Sequence, residues 1–353
     1  MIFPLMRSHS GHPSGHFISS IVAIAACMTT LLLDPAASQD AASFYNGKTV
    51  RIVVGYSPGG GYDQYARLVA RHIGRYIPGN PKVVVQNMPG SASLKSVQYL
   101  DAGAPADGTT ITTFDQGLIT QSITSPDKVP VKFLNYAWIG AASQDFRACY
   151  IWNGRGVTDW KDFLAKENLR FGNTGVGTSA YVDNRILSVL LGAKIHQVQG
   201  YPGSADKRLA IERGELDGDC GSWTSVPDDW ITGKKITFLV RFSRSRLPAM
   251  PESMAYAADL LSDENKKEIF ALLTAGAMIG RPFIAPGGVP ADRIAALQNA
   301  FEATMKDREF LAEAEKQQLP ILPMAAGDIE STIKKLYQTP LDVVAAAKDI
   351  TGN

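Results

Sequence analysis

The chain of 353 residues carries 35 Lys and Arg against 34 Asp and Glu, a formal net charge of +1 at pH 7. This balance excludes a global positive field that would recruit nucleic acid or an anionic membrane surface. The length exceeds what one small hydrophobic core needs and favours an organisation in two lobes.

The first forty residues have the pattern of an export signal. Arg7 precedes an apolar run over residues 17–33, and the small residues around Ala36 suit a signal peptidase. We therefore expect residues 1–38 to be a signal peptide cleaved near Ser38, with the mature protein in the periplasm. The run is barely long enough to span a bilayer, and no basic cluster follows it, so a retained membrane anchor is the weaker interpretation.

Three cysteines bear on the compartment. Cys27 ends a segment that loosely resembles a lipobox, but the apolar residues that follow it argue against lipidation. The mature chain keeps Cys149 and Cys220, which are compatible with one disulfide in an oxidising compartment. Two separate buried thiols fit the sequence equally well.

A strand, a glycine turn and a helix come first in the mature chain. Residues 50–54 form a β-branched apolar run, which is typical of a parallel strand buried on both faces. Apolar residues over 66–77 recur at helical spacing, and Asp63 lies in the first turn. The joining residues 58–61 include three consecutive glycines, whose backbone N–H groups can turn toward a bound anion. A turn that merely connects strand and helix is the alternative.

The same strand, turn and helix pattern then repeats. Further strands are predicted over 82–86, 109–114, 148–152, 169–172, 195–198 and 235–242, and a run over 277–286 predicts a strand that returns to the first lobe. Two final helices are predicted over 291–305 and 328–347. These βαβ units predict an α/β fold with two lobes, each a mostly parallel sheet flanked by helices. We expect residues 44–145 and 276–353 to form one lobe and residues 146–275 to form the other.

A second glycine turn, over residues 173–179, again leads from a strand into a helix. Its backbone N–H groups would face a ligand from the other lobe. Two such turns, one in each lobe, predict a ligand-binding cleft between the lobes.

Enzymatic alternatives find little support in the sequence. Gly175-x-Gly177-x-x-Ala180 satisfies a loose dinucleotide fingerprint, but no acidic residue stands near Val198, where one would hold the ribose. The mature chain has only two histidines, His72 and His196, and neither adjoins a nucleophile turn. We expect His72 on the surface of the first helix. No cluster of His, Cys or carboxylates predicts a metal, and no motif predicts a cofactor.

Five segments carry a family resemblance. Residues 53–63, 86–90, 105–109, 175–179 and 201–205 follow the order and approximate spacing of motifs in the Bug family. The chain resembles these periplasmic solute-binding receptors of tripartite tricarboxylate transporters over essentially its whole mature length.

The resemblance implies a type II periplasmic-binding-protein fold in which the two glycine turns hold a carboxylate, partly through ordered water. It also implies the membrane components of such a transporter as partners, and we expect a monomer that binds no nucleic acid. The candidate ligand-binding residues are Tyr56, Pro58, Gly59, Gly60, Gly61, Asp63, Phe114, Gly175, Gly177, Thr178, Ser179, Tyr201, Ser204 and Trp223.

The sequence also departs from the family pattern. Ala180-Tyr181 stands where the family has a small residue or histidine, Gly221 replaces an acidic residue, and Trp223 replaces a smaller aliphatic one. An aromatic lining with no nearby acid would accept an apolar or aromatic body behind the carboxylate.

The predicted function is therefore capture of a small di-, tri- or aromatic carboxylate without chemistry; an exported α/β enzyme acting on a small acid is the alternative. We expect Gly60 and Gly177 to be required, because a Cβ there would occupy the ligand's space or strain the backbone. Asp63 is expected to organise the N–H groups of its loop, a role that Asn could take over.

Overall fold

Two six-stranded sheets organise residues 41–351, the part of the chain that the computed structural model describes. The strands are β1 Thr49–Val54, β2 Lys82–Asn87, β3 Thr110–Thr113, β4 Ala137–Ala141, β5 Arg147–Trp152, β6 Leu169–Gly172, β7 Ile195–Val198, β8 Gly218–Ser222, β9 Ile236–Arg241, β10 Ala255–Tyr256, β11 Pro282–Ala285 and β12 Met324–Ala325. The first sheet has the order β12-β4-β11-β3-β1-β2 and the second the order β10-β9-β5-β8-β6-β7. We call the elements around each sheet the first and second lobe, and the space between them the cleft.

Helices flank both sheets. They are α1 Ala41–Tyr45, α2 Gly61–Ile73, α3 Leu94–Ala102, α4 Gly117–Thr124, α5 Trp160–Ala165, α6 Ser179–Arg185, α7 Ser204–Glu212, α8 Asp228–Thr232, α9 Glu264–Thr274, α10 Gly276–Ile279, α11 Ala291–Met305, α12 Arg308–Lys316, α13 Ala326–Leu336 and α14 Leu341–Thr351. A π-helical turn, Ile186–Leu190, continues α6.

The predicted two-lobed α/β fold is confirmed, and each mostly parallel sheet also contains at least one reversed strand. In the first sheet, β1 pairs in parallel with β2 and β3, whereas β11 runs antiparallel between β3 and β4. In the second sheet, β5 runs antiparallel between β8 and β9. Because β5 and β11 are the first strands after the chain passes between lobes, they enter their sheets against the direction of the β/α units.

The two segments that cross between the lobes pair with each other. Ala142 N–H donates to the carbonyl of Arg281 (3.0 Å), and Arg281 N–H donates to the carbonyl of Ser143 (2.9 Å). Asp145 N–H donates to the carbonyl of Ala277 (2.8 Å). This pairing places Asp145 and Arg281 at the floor of the cleft.

Strand β1 is buried in the core of the first lobe. Ile52, Val53 and Val54 are completely buried, as the apolar run predicts, and α2 packs over them with Ala66 and Val69. Since β1 lies between β2 and β3 in parallel register, the carboxyl ends of all three strands open at one edge of the sheet. The residues that follow them are therefore neighbours in the cleft.

Several elements differ from the sequence prediction. The first half of the strand predicted over 277–286 is the short helix α10, and only Pro282–Ala285 is strand. The helix predicted over 328–347 is two helices, α13 and α14, because Pro340 lacks the N–H that a continuous helix needs. Helix α12 was missed, although Asp307 caps it by accepting from Phe310 N–H (2.7 Å).

The last helix packs on the second lobe. Ala347 is buried in the hydrophobic cluster of the second sheet, and Tyr181 in α6 donates its hydroxyl to the carbonyl of Thr351 (2.5 Å). The predicted lobe boundaries stay predictions, but α14 contacts the lobe opposite to the one expected from its place in the chain.

Cys149 and Cys220 form a disulfide, which decides between the two alternatives left open by the sequence. The two residues face each other in the antiparallel pair β5 and β8, and both are completely buried. The bond joins adjacent strands of the second sheet directly beneath the cleft. The predicted signal peptide and Cys27 lie outside the described residues. Within residues 41–351, no helix is long and apolar enough to cross a membrane.

Loss of the disulfide should lower the free energy of unfolding by about 2–4 kcal/mol, because the bond closes a long loop in the unfolded chain. Denaturant unfolding of the wild type with and without reductant measures this difference, and the Cys149→Ala/Cys220→Ala variant should match the reduced protein. Equal midpoints for oxidised and reduced wild type would contradict the expected contribution.

Candidate functional site

The glycine turn of the first lobe, Pro58–Gly61, is held by a carboxylate of its own helix. Gly59 N–H donates to Asp63 Oδ2 (2.9 Å), and Arg67 Nε donates to the same oxygen (2.9 Å). Asn87 Nδ2 donates to Asp63 Oδ1 (2.9 Å). Burial acts to raise the pKa of Asp63, but these hydrogen bonds outweigh it and the pKa is lowered. Asp63 thus organises the turn, in the way the sequence leads us to expect.

The glycine turn of the second lobe, Asn173–Ser179, leads from β6 into α6. Asn173 Oδ1 accepts the Gly175 N–H (2.9 Å), and Thr178 caps α6 by accepting the Tyr181 N–H (3.4 Å). Ser179 presents both its N–H and its hydroxyl to the first lobe, where each donates to one carboxylate oxygen, Asp115 Oδ1 (3.0 and 2.6 Å).

Asp115 is the main functional residue that sequence reasoning missed. It follows β3, and its Oδ1 also accepts the N–H of Gly117 (2.7 Å) while Oδ2 accepts the hydroxyl of Tyr56 (2.5 Å). Its side chain is buried between the lobes. Ser179, one of the second-lobe residues expected to hold a ligand's carboxylate, therefore holds a carboxylate of the protein. The available signal was position: Asp115 ends the strand next to β1, at the edge of the sheet where the first glycine turn begins.

A network of buried charges forms the floor of the cleft. Arg281 Nη2 lies 3.0 Å from Asp145 Oδ1, and Arg147 Nη1 lies 3.0 Å from Asp145 Oδ2. Arg147 also pairs with Asp183 (2.6 Å). Burial acts to raise the pKa of Asp145, but two guanidinium groups overcome it and the pKa is lowered. Asp183 has one guanidinium partner, and burial raises its pKa to about 6.

A small polar cavity of about 30 Å³ lies above this floor. Arg147, Lys207, Arg281 and the hydroxyls of Ser204, Ser222 and Ser225 line it. Lys207 Nζ pairs with Asp219 Oδ1 at 2.5 Å, and both residues are buried. Each cation of the small cavity therefore has a carboxylate partner. We call this the inner cavity.

A larger cavity of about 700 Å³ opens between the lobes beside Tyr56; we call it the outer cavity. Its first-lobe wall consists of Gly55, Tyr56, residues 89–94, Leu118, Gln121, Lys128 and Val129, and its second-lobe wall of residues 174–176 and 200–202. The volume is within the range of small-molecule sites, which is roughly 300–1,000 Å³.

The candidate site residues divide among these places. Tyr56, Gly175 and Tyr201 line the outer cavity, and Tyr56 and Ser204 line the inner one. Phe114 is completely buried, stacked on Phe133 in the core of the first lobe. Trp223 stacks on Phe238 and lines a separate groove beside α12.

Pro58 to Gly61 line neither cavity, because the first-lobe turn packs directly on the second lobe. Ser57 Oγ donates to Asp206 Oδ2 (2.7 Å), and Arg208 Nη2 donates to the carbonyl of Gly59 (3.1 Å). The sequence analysis expected no acidic residue near the ligand. Asp115 nevertheless lines the inner cavity, next to Tyr56.

Gly60 and Gly177 differ in how strictly they need to be glycine. Gly177 has φ +88°, and a Cβ there would lie 3.1 Å from Gln121 Cγ. Gly60 has φ −88°, and a Cβ there would lie no closer than 3.7 Å to Ser204. The backbone conformation therefore requires glycine at Gly177 and does not require it at Gly60. The effect of a Cβ at either position on ligand binding stays a prediction.

His72 is buried, which corrects its predicted surface position. Its Nε2 lies 2.6 Å from Glu313 Oε2, and its Nδ1 contacts Arg75. Together with Asp307 and Glu309 it forms a group whose spacing could hold a metal ion. Arg75 already pairs with both of those carboxylates, so the group is an ion-pair network that joins α2 to α12.

The two lobes, the crossing segments and the cleft define the chain as a two-lobed periplasmic-binding-protein fold. The structure of periplasmic binding protein BugD has a TM-score of 0.70 and 18% identity, covering 87% of this chain and 98% of that one. MatC (Rpa3494) from Rhodopseudomonas palustris, with bound malate, has a TM-score of 0.69 and 18% identity, covering 84% and 99%.

Comparison of the amino-acid sequence with curated proteins also finds relatives of this chain. The UPF0065 protein in the tcbD-tcbE intergenic region of Pseudomonas sp. (strain P51) is 29% identical over 234 residues, covering 61% of this chain and 65% of that protein. The chain spans less than two thirds of the length of the curated relatives it matches, between 59% and 65%. No protein-family model matches. The predicted resemblance to the Bug family is confirmed by these UPF0065 relatives and by the shared fold.

Replacing Asp63 by Asn should destabilise the protein, contrary to the expectation that Asn could take over its role. Both carboxylate oxygens accept hydrogen bonds, and an amide would turn an NH₂ group toward a donor. We expect a loss of about 1.5–3 kcal/mol in unfolding free energy, with a similar loss for Asp63→Ala. Thermal and denaturant unfolding of the two variants measure it; wild-type stability of Asp63→Asn would contradict this account.

The two glycines offer a matched comparison. Gly177→Val should cost about 1–2 kcal/mol, because a left-handed φ is unfavourable for a β-branched residue, and it should also weaken ligand binding. Gly60→Ala should stay within about 0.5 kcal/mol of the wild type. Chemical denaturation separates the two, and equal losses would show that φ at Gly177 is not the cause.

Proposed function

We propose that this protein is an extracytoplasmic solute receptor that binds a small organic carboxylate in its cleft and releases it unchanged to a membrane transporter. The observation that carries the proposal is the outer cavity, whose walls come from both lobes and include the second-lobe glycine turn. A ligand there contacts both lobes at once, so binding favours the closed arrangement of the cleft.

The comparisons support the same function. MatC, which shares this fold over 84% of the chain, has malate bound. We infer by analogy that the ligand here also carries a carboxylate, that the protein acts in the periplasm, and that its partners are the membrane components of a tripartite tricarboxylate transporter. We propose that it works as a monomer.

The enzyme alternative lacks a histidine base at the inner and outer cavities. His72 is buried in the ion-pair network between α2 and α12, and His196 is exposed on β7. Neither histidine of residues 41–351 lines the inner or the outer cavity. The carboxylates at the cleft floor are paired with cations, which suits a structural role better than proton transfer.

The mature chain, residues 39–353, should be stabilised by at least one acid in a panel of aliphatic and aromatic mono-, di- and tricarboxylates. At a ligand concentration of 100 times Kd, the gain is about 2.7 kcal/mol, which thermal shift detects and calorimetry quantifies. Chromatography after prolonged incubation should recover the acid unchanged. The absence of a binding signal for every acid in both assays would contradict a carboxylate receptor. Chemical conversion of an acid would favour the enzyme.

A further inference from the structure

We propose that Ala92 is a specificity-determining residue, whose methyl group sets the largest ligand body that the outer cavity accepts. This role rests on the receptor function proposed above and adds the residue that selects among acids of different size. It applies to the body of the ligand and is independent of the groups that bind its carboxylate.

Ala92 lies in a segment of unusual backbone conformation. Residues 90–93, which we call the strap, lead from β2 toward α3 and line the outer cavity. All four have positive φ, at 142° for Gly90, 46° for Ser91, 56° for Ala92 and 78° for Ser93. Residues with a Cβ adopt such angles only at a steric cost, because the Cβ approaches the following carbonyl oxygen. The contacts around the strap must therefore hold it in place.

Ser93 anchors the strap to the first lobe. Its Oγ accepts the N–H of Asp115 (3.2 Å), and its carbonyl accepts the hydroxyl of Ser96 (2.8 Å). The Ser93 side chain, 1% exposed, also occupies the space beside Gly55, where a Cβ would collide with it. Since Gly55 follows β1 and Asp115 follows β3, these contacts fix the strap at the edge of the sheet where the cleft opens.

From this anchor, Ala92 reaches the second lobe. A Cβ on Gly175 would lie 3.1 Å from the Cβ of Ala92, so the methyl group occupies the place that a side chain at Gly175 would need. Both residues line the outer cavity. The methyl group of Ala92 is therefore part of the cavity wall at a point where the two lobes meet.

Other residues fix the separation of the lobes near this point. Asp115 of the first lobe accepts the N–H and the hydroxyl of Ser179 of the second lobe, at 3.0 and 2.6 Å. Ser93 in turn holds the backbone of Asp115. Neither contact involves the side chain of Ala92. Removal of its methyl group should therefore leave additional space in the cavity while the lobes stay where they are.

The fold does not need the methyl group. Glycine at position 92 would remove the steric cost of the positive φ and keep every contact of Ser93. The outer cavity also has apolar lining, with Leu118 and Val129 in its first-lobe wall. In an apolar pocket, one methyl or methylene group changes discrimination between ligands roughly 10–200-fold. We therefore expect Ala92 to exclude acids whose body is one carbon too long.

Isothermal titration of the mature chain with two homologous series tests this role. The series are the dicarboxylates from succinate to suberate and the 4-alkylbenzoates from benzoate to 4-butylbenzoate. In the series that the wild type binds, affinity should rise with length to a maximum and then fall. Ala92→Gly should raise the affinity for the first acid beyond that maximum at least tenfold. Ala92→Asn, a larger residue that tolerates positive φ, should move the maximum to a shorter acid.

Thermal unfolding without ligand gives a second readout. Ala92→Gly should melt about 1–2 °C above the wild type, because the steric cost of the positive φ is removed. The matched control is Lys234, which also has positive φ, at 48°, and does not line the outer cavity. Lys234→Gly should raise the melting temperature by a similar amount and leave the affinity for every acid unchanged.

The outcomes separate this role from the receptor function. Wild-type affinity profiles in both Ala92 variants, or the same factor of change for every acid, would overturn the role of Ala92 and leave the receptor function standing. A lower melting temperature for Ala92→Gly would show that the methyl group supports the fold and would overturn the role as well. Failure of every acid to bind the wild type would overturn both.

Discussion

The carboxylate of Asp115 is the contact on which the arrangement of the cleft depends. It comes from the first lobe and accepts the N–H and the hydroxyl of Ser179 from the second. Hydrogen bonds to a charged group contribute about 1.5–3 kcal/mol each, and a buried carboxylate without partners is strongly unfavourable. The lobes therefore meet where Asp115 reaches Ser179. That contact takes up both donors of Ser179. The outer cavity beside it is one of the spaces between the lobes that are large enough for an organic ligand.

The buried charges of the cleft floor are likewise paired with one another. Arg147 and Arg281 share Asp145 where the chain crosses between lobes, and Lys207 pairs with Asp219 beside the disulfide strands. These pairs hold the interior of the cleft near neutrality without contributing a free cation. The first-lobe glycine turn serves the packing of the two lobes, because Arg208 of the second lobe donates to the carbonyl of Gly59.

Much of the fold was predictable from the sequence, because its signals are local. The apolar run of β1 predicts a strand buried on both faces, and Pro58–Gly61 predicts the turn that follows it. The mixed pairing of β5 and β11 was not predictable, because strand direction depends on where the chain crosses between lobes. The role of Asp115 was not predictable for a related reason. A single aspartate after a strand forms no recognisable motif, and its partner Ser179 is 64 residues away in the sequence. Phe114 and Trp223 look like ligand contacts by residue type, yet Phe114 packs in the first-lobe core and Trp223 lines another groove.

A crystal structure of the mature protein with its tightest-binding acid examines the central claim directly. The account predicts electron density for the ligand in the outer cavity, with the Asp115–Ser179 contacts intact. A ligand carboxylate at the Ser179 N–H, with Asp115 rotated away from that position, would contradict it.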